Sequence, residues 1–135
     1  MPEIEYVEDR MESEELLERL CPPVRNWFKD KFPDFTEPQK VAIPRILNGE
    51  HLLLCSPTGS GKTLTAFLTI IDDLVRRSLD GSLPDAVQCV YISPIKALAN
   101  DIEKNLLGPL GEIKERYLPS RAWEIPLLYF PERSQ

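Results

Sequence analysis

"LLLCSPTGSGKTLTAF", residues 52–67, runs from a short apolar stretch through a loop of small residues to a lysine and a threonine. Backbone N–H groups that curl around phosphate oxygens need φ values that glycine reaches cheaply, and Gly59 and Gly61 stand at the turn. A phosphate held there lies at the N-terminus of the following helix, whose dipole favours an anion. On this reading Ser56, Pro57, Thr58, Gly59, Ser60, Gly61, Lys62 and Thr63 form the phosphate loop. Lys62 brings a positive charge to the β- and γ-phosphates, and Thr63 places a hydroxyl on Mg²⁺. These two are the candidate catalytic residues, and Thr63 is the candidate metal ligand. The general pattern begins with glycine where this chain has Ser56, while the "TGSGKT" core is intact.

The rest of the chain bounds what such a loop can serve. At 135 residues it has room for one domain with a core. No apolar run reaches membrane-spanning length and no secretory signal pattern opens the chain, so a cytoplasmic protein without a membrane partner is expected. Cys21, Cys55 and Cys89 lack metal-ligand spacing and read as reduced thiols, with Cys55 and Cys89 expected to be buried in strands. The net charge of −6 is unevenly spread. Residues 1–18 hold eight acids against Arg10 alone, and the remainder is close to neutral with 14 acids and 15 bases. The acidity belongs to a solvated leader and neither supports nor excludes a nucleic-acid partner.

Residues 1–22 are read as that leader with a short helix, "ESEELLERL", for which Ser13 is the expected N-cap. Pro22 and Pro23 break it and open the next helix, in which Val24, Trp27, Phe28, Lys31 and Phe32 fall near helical spacing. In "TEPQKVAIPRILNGE" Thr36 is the expected N-cap and Gly49 the stop, and Pro44 is expected to kink or shorten the helix. "HLLLC" and "AVQCVYIS" read as strands, "LTAFLTIIDDLVRRSL" as a long helix. A further helix follows, expected to be interrupted around Gly108-Pro109. Strand–helix–strand–helix order indicates an α/β fold with a parallel sheet and right-handed crossovers.

A phosphate loop alone says only "nucleotide". Upstream, "FTEPQKVAIP" places Gln39 after Thr-x-Pro, which resembles the Q motif of superfamily 2 helicases. A carboxamide offers a donor and an acceptor that match the N6 and N7 edge of adenine, so Gln39 is the candidate selector of ATP over GTP. Downstream, "YISPIKALANDI" resembles helicase motif Ia. There Pro94 and Lys96 are candidate contacts to a nucleic-acid backbone, as a helix N-terminus with an added cation would be. Together the three stretches resemble the start of the first RecA-like domain of a superfamily 2 DEAD/DEAH-like helicase. Their wording is most similar to the large helicase-related (Lhr) family, over residues 23–113. The resemblance implies an incomplete three-layer P-loop NTPase fold, ATP and Mg²⁺ as cofactors, DNA or RNA as partner, and a motor that hydrolyses ATP.

Such a motor needs an Asp-Glu pair ending a later strand. "TIIDDL" imitates it, but Asp72 is ten residues beyond Lys62 on the same helix. That is ~15 Å down the axis from the phosphates, so Asp72 and Asp73 are rejected. Residues 114–135 lose the likeness. The expectation is an ATP-binding N-terminal fragment, lacking the Asp-Glu strand and the second RecA-like domain and therefore inactive alone. A small P-loop kinase or GTPase is the rival enzyme, weakened by the absence of an Asn-Lys-x-Asp guanine motif. A non-catalytic nucleotide-binding remnant is the third reading.

Overall fold

In the computed structural model of the chain, residues 3–57, 59, 61–93 and 100–117 are described. Five α-helices dominate them: α1 (Ser13–Arg19), α2 (Pro22–Lys31), α3 (Glu37–Leu47), α4 (Lys62–Leu79) and α5 (Gly108–Tyr117). A π-helical turn, Glu103–Leu107, leads into α5. Helix α4 is central, packed against α2, α3 and the π turn, while α5 lies on α2 and α1 on α3.

The helices form where local chemistry starts and stops them. Pro22 and Pro23 occupy the first turn of α2, where no N–H is missed. Thr36 caps α3 in a full capping box with Gln39. Helix α3 ends at Leu47 and Gly49 follows at φ +79°, a left-handed value suited to glycine. Before α5, the N–H of Gly108 bonds to the carbonyl of Glu103, five residues back. Pro109 has no N–H to give and its ring would strike the carbonyl four residues back, so the helix widens by one residue just ahead of it.

Leu16 and Leu20 meet Val24, Trp27 and Phe28 of α2, Ile43 of α3, Leu68, Ile71 and Val75 of α4, and Ile113 of α5 in one core. Fully burying each such side chain contributes about 1.5–3 kcal/mol. Phe35, in the turn before α3, stacks on Phe28 with ring centroids 4.1 Å apart. Phe32 packs against the edge of this core, its ring 5.1 Å from that of Phe28, while Lys31 stands outside it. Lys31 is exposed and pairs with Glu112 at 3.0 Å, and Phe32 is half-buried. Trp27 also donates from its indole N–H to Glu112 at 2.7 Å, which fixes α5 on α2.

Helix α3 passes through Pro44 without ending. The proline leaves the Lys40 carbonyl without its helical donor, and the backbone N–H of Met11 supplies one at 3.0 Å. Arg10 adds a 2.7 Å bond to Glu37 in the first turn of α3, holding the Glu37 carboxyl below its usual range. The acidic leader is therefore docked from Arg10 onward. Ser13 is not the N-cap of α1. That position is Glu12, without a side-chain cap, because the Ser13 hydroxyl donates instead to Asp34.

The expected parallel sheet is not formed among the described residues. Residues 51–55 and 86–93 carry the apolar and β-branched side chains of strands, yet neither forms a hydrogen-bonded ladder with another described segment. A strand is stable only with partners on its edges, and two candidate strands do not provide them. Cys55 and Cys89, expected to be buried in strands, are exposed for the same reason. The apolar run "IPLLYF" (125–130) and the rest of the divergent tail beyond residue 117 lie outside the described residues.

Candidate nucleotide site

The phosphate-loop stretch ends at Gly61, which is in the left-handed conformation (φ +82°, ψ 23°) and immediately precedes α4. Gly59 is also left-handed, at φ +86°. Gly61, the N-cap residue of α4, has no side chain with which to cap it, and the amides of the first turn lie at the loop end of the helix. Lys62 and Thr63 are the first two residues of that helix, Lys62 exposed and Thr63 half-buried. First-turn amides, the helix dipole and the Lys62 charge thus meet at one end of α4, an arrangement suited to an oxyanion.

The loop is tied to the rest of the fold through one carbonyl. The oxygen of Gly61 accepts from the N–H of Thr65 at 3.0 Å and from the Thr65 hydroxyl at 2.8 Å. It also lies 3.4 Å from the carboxamide nitrogen of Gln39. Gln39 is buried, and its carboxamide oxygen accepts from the N–H of Thr36 at 2.9 Å. A carboxamide has two N–H groups and two lone pairs, and the contacts to Thr36 and Gly61 use one of each. A Cβ at Gly61 would come within 2.6 Å of the Gln39 nitrogen, so this approach requires glycine for its space as well as its φ.

The structure therefore brings together Gln39, Gly61, Lys62 and Thr63. Ser56, Pro57 and Gly59 lie in the loop leading to them. Thr58, Ser60, Pro94 and Lys96 lie outside the described residues. Sequence reasoning missed Thr65. Its signal was a hydroxyl residue four positions after a glycine that ends a loop, one helical turn from the Gly61 carbonyl.

Asp72 has a different task. It is buried on α4, and its carboxylate accepts from the Cys21 N–H at 2.6 Å and from Arg76 at 3.0 Å. Cys21 is the N-cap residue of α2, so Asp72 serves as that helix's missing capping group from across the core. Burial, and then the adjacent carboxylate, push the Cys21 thiol up to about 12.

Residues 36–118, from the cap of α3 to the end of α5, match the DEAD/DEAH box helicase family. The chain belongs to that family. The family implies a RecA-like P-loop fold, ATP with a divalent metal, and nucleic acid as partner. Within the family the chain is similar to the ATP-dependent helicase Lhr-Core of Methanocaldococcus jannaschii, 49% identical over 113 residues. That alignment covers 84% of this chain and 13% of the relative. Lhr-Core of Methanothermobacter thermautotrophicus is 57% identical over 96 residues, 71% of this chain and 11% of that protein. The Lhr helicase/uracil glycosylase of Escherichia coli is 39% identical over 100 residues, 71% of this chain and 6% of that protein. The chain thus spans about an eighth of the length of the Lhr-Core helicases it matches. No solved structure matches it. No described helix is long and apolar enough to cross a membrane.

Proposed function

We propose that this chain is the ATP-binding start of the first RecA-like unit of an Lhr-like, nucleic-acid-dependent helicase, and that its own chemistry is nucleotide binding. The observation that carries this reading is the start of α4 at a left-handed Gly61, with Lys62 and Thr63 in its first turn and Gln39 beside it.

The residues fit Mg·ATP. The first-turn amides of α4 would face a bound anion, and Lys62 is exposed at the same end. Thr63 offers one hydroxyl, as Mg²⁺ sites built on substrate phosphates require, since this ion keeps several waters and takes few protein ligands. Gln39 has one N–H and one lone pair left for the adenine edge. Its position at the loop supports a reading of ATP against GTP. Ser56, Pro57, Thr58, Gly59 and Ser60 complete the cradle in this proposal, which also assigns Pro94 and Lys96 as the nucleic-acid contacts. Bound ATP supplies the phosphoryl group whose hydrolysis drives the motor. This chain positions the phosphates and balances their charge, and it does not supply the water-activating acid. The geometry of Asp72 supports that division, because its carboxylate is already committed to Cys21 and Arg76.

The decisive experiment is calorimetric titration of Mg·ATP into the chain and into Lys62→Ala. Saturable binding that Lys62→Ala abolishes and that GTP competes for poorly is expected. Equal competition by GTP would favour the kinase or GTPase reading. Phosphate release stimulated by single-stranded DNA or RNA, and lost in Lys62→Ala, would restore a catalytic acid to this chain.

A further inference from the structure

We propose that Thr65 is a positioning residue of the phosphate loop, whose hydroxyl locks the Gly61–Lys62 peptide so that the Lys62 N–H faces the phosphate. The proposal deepens the ATP reading of residues 56–63 and rests on it. Three facts converge. First, Gly61 sits at φ +82° and, having no Cβ, is free to move between left- and right-handed regions, so the peptide after it is the loop's natural point of rotation. Second, a planar trans peptide places its C=O and N–H on opposite sides. Whatever holds the Gly61 oxygen therefore aims the Lys62 N–H. Third, that oxygen is held more heavily than a helix start requires.

The backbone N–H of Thr65 gives the ordinary first helical bond at 3.0 Å. The Thr65 hydroxyl adds a second and shorter bond at 2.8 Å, and Gln39 adds a long third contact at 3.4 Å. Thr65 is buried, 1% exposed, so water does not compete for its hydroxyl. With the oxygen pulled into the junction of α3 and α4, the Lys62 N–H points out of the helix end, where a phosphate oxygen would sit. The methyl group of Thr65 fills the same buried site, which separates packing from hydrogen bonding in the choice of variants.

The test uses Thr65→Val, which keeps the shape and removes the hydroxyl, and Thr65→Ser, which keeps the hydroxyl. Mg·ATP affinity is titrated for both, with Lys62→Ala as the control for the site itself. Thr65→Val is expected to weaken binding about five- to tenfold, the size of one net hydrogen bond, with Thr65→Ser within about twofold of the parent. Equal weakening in both variants, or none in Thr65→Val while Lys62→Ala loses binding, overturns the proposal and leaves the ATP reading standing. A second readout needs no nucleotide. Amide relaxation by NMR is expected to show Gly61 and Lys62 rigid in the parent and in Thr65→Ser, and mobile in Thr65→Val. Parent Gly61 and Lys62 amides as mobile as those of exposed residues 4–6 also overturn it, whether or not ATP binds and whether or not Thr65→Val folds.

Discussion

The carboxamide of Gln39 bridges two places at once: its oxygen accepts from the Thr36 N–H at 2.9 Å and its nitrogen lies 3.4 Å from the Gly61 carbonyl. One side chain thus completes the cap of α3 and touches the hinge of the phosphate loop. A base-reading glutamine would affect ATP alone, whereas a loop-holding glutamine would affect the phosphates too. Gln39→Glu keeps the acceptor for Thr36 and removes the donor to Gly61. Its buried charge against the Gly61 carbonyl should lower thermal stability, and the lost donor should weaken both Mg·ATP and base-free triphosphate. Gln39→Ala should weaken both as well and also lose the reciprocal cap, at about 0.5–2 kcal/mol. A titration in which triphosphate binding is untouched by Gln39→Glu would confine the residue to the base.

Asp72 is the next test, because its carboxylate resembles a catalytic acid in sequence and a structural one in space. Its side chain is 2% exposed, while its partner Arg76 is 51% exposed, so the ion pair is partly screened and the Cys21 N–H is the more costly group to orphan. Asp72→Ala is expected to lower unfolding free energy by about 2–4 kcal/mol in urea. Asp72→Asn, which retains an acceptor for Cys21, should lose less. A loss under about 0.5 kcal/mol for Asp72→Ala, the range of ordinary surface substitutions, would remove it from the structural role.

The helical half of the fold was legible because its signals are local. Thr36, Gly49, the Pro22-Pro23 pair and the Gly108-Pro109 break each act within about one turn of the residue that shows them. What was not legible lies across the chain. The Ser13 hydroxyl was lost from its expected cap to Asp34, 21 residues away, and the Asp72 carboxylate serves Cys21 at a separation of 51. The carbonyl freed by Pro44 is taken by Met11, a partner that nothing around the proline announces. At the candidate site, Lys62 and Thr63 were legible from loop chemistry alone. The links of Gln39 and Thr65 to the Gly61 carbonyl were not, because they depend on where α3 lies against α4. Residues 51–55 and 86–93 were read as strands from composition, and composition cannot supply the partner that makes a strand.

Thiol chemistry separates the three cysteines. Cys21 is buried and its thiol is pushed up to about 12, so thiolate is scarce at neutral pH, whereas Cys55 and Cys89 are exposed. Iodoacetamide at pH 8 should label Cys55 first, Cys89 more slowly because partial burial pushes its thiol up, and Cys21 only in denaturant, as counted by mass spectrometry. The sign also sets a stability window. A thiol raised in the folded state favours folding below its ordinary value of about 9, and that contribution is lost as pH rises from there toward about 12. Rapid triple labelling of the folded chain would contradict the buried N-cap.

Glu112 gives the opposite dependence. The Trp27 indole N–H, and then Lys31, hold its carboxyl below the usual value of 4.5. A carboxyl lowered in the folded state stabilises above its ordinary value, and this is lost as pH falls through the lower folded value. The thermal midpoint should therefore fall between pH 5 and pH 3 more steeply in the parent than in Glu112→Gln, which keeps an acceptor for Trp27 without the charge. Identical slopes would show that this contact between α2 and α5 does not titrate with folding.

The exposed apolar side chains of residues 51–55 and 86–93 carry the last prediction. Leu53 is 84% exposed and Ile92 is 89% exposed, with Val87 and Val90 nearly as open. Apolar, β-branched segments with unsatisfied backbone are templates for pairing between chains. Light scattering should rise with concentration at neutral pH. The double variant Leu53→Lys with Ile92→Lys should suppress that rise, because a charge on such a segment opposes stacking. Neither side chain touches the helical core, so the thermal midpoint should move little. Unchanged scattering would acquit these segments of association. A large fall in the midpoint would carry a different meaning: both side chains would then be buried in solution, in a sheet closed over α4.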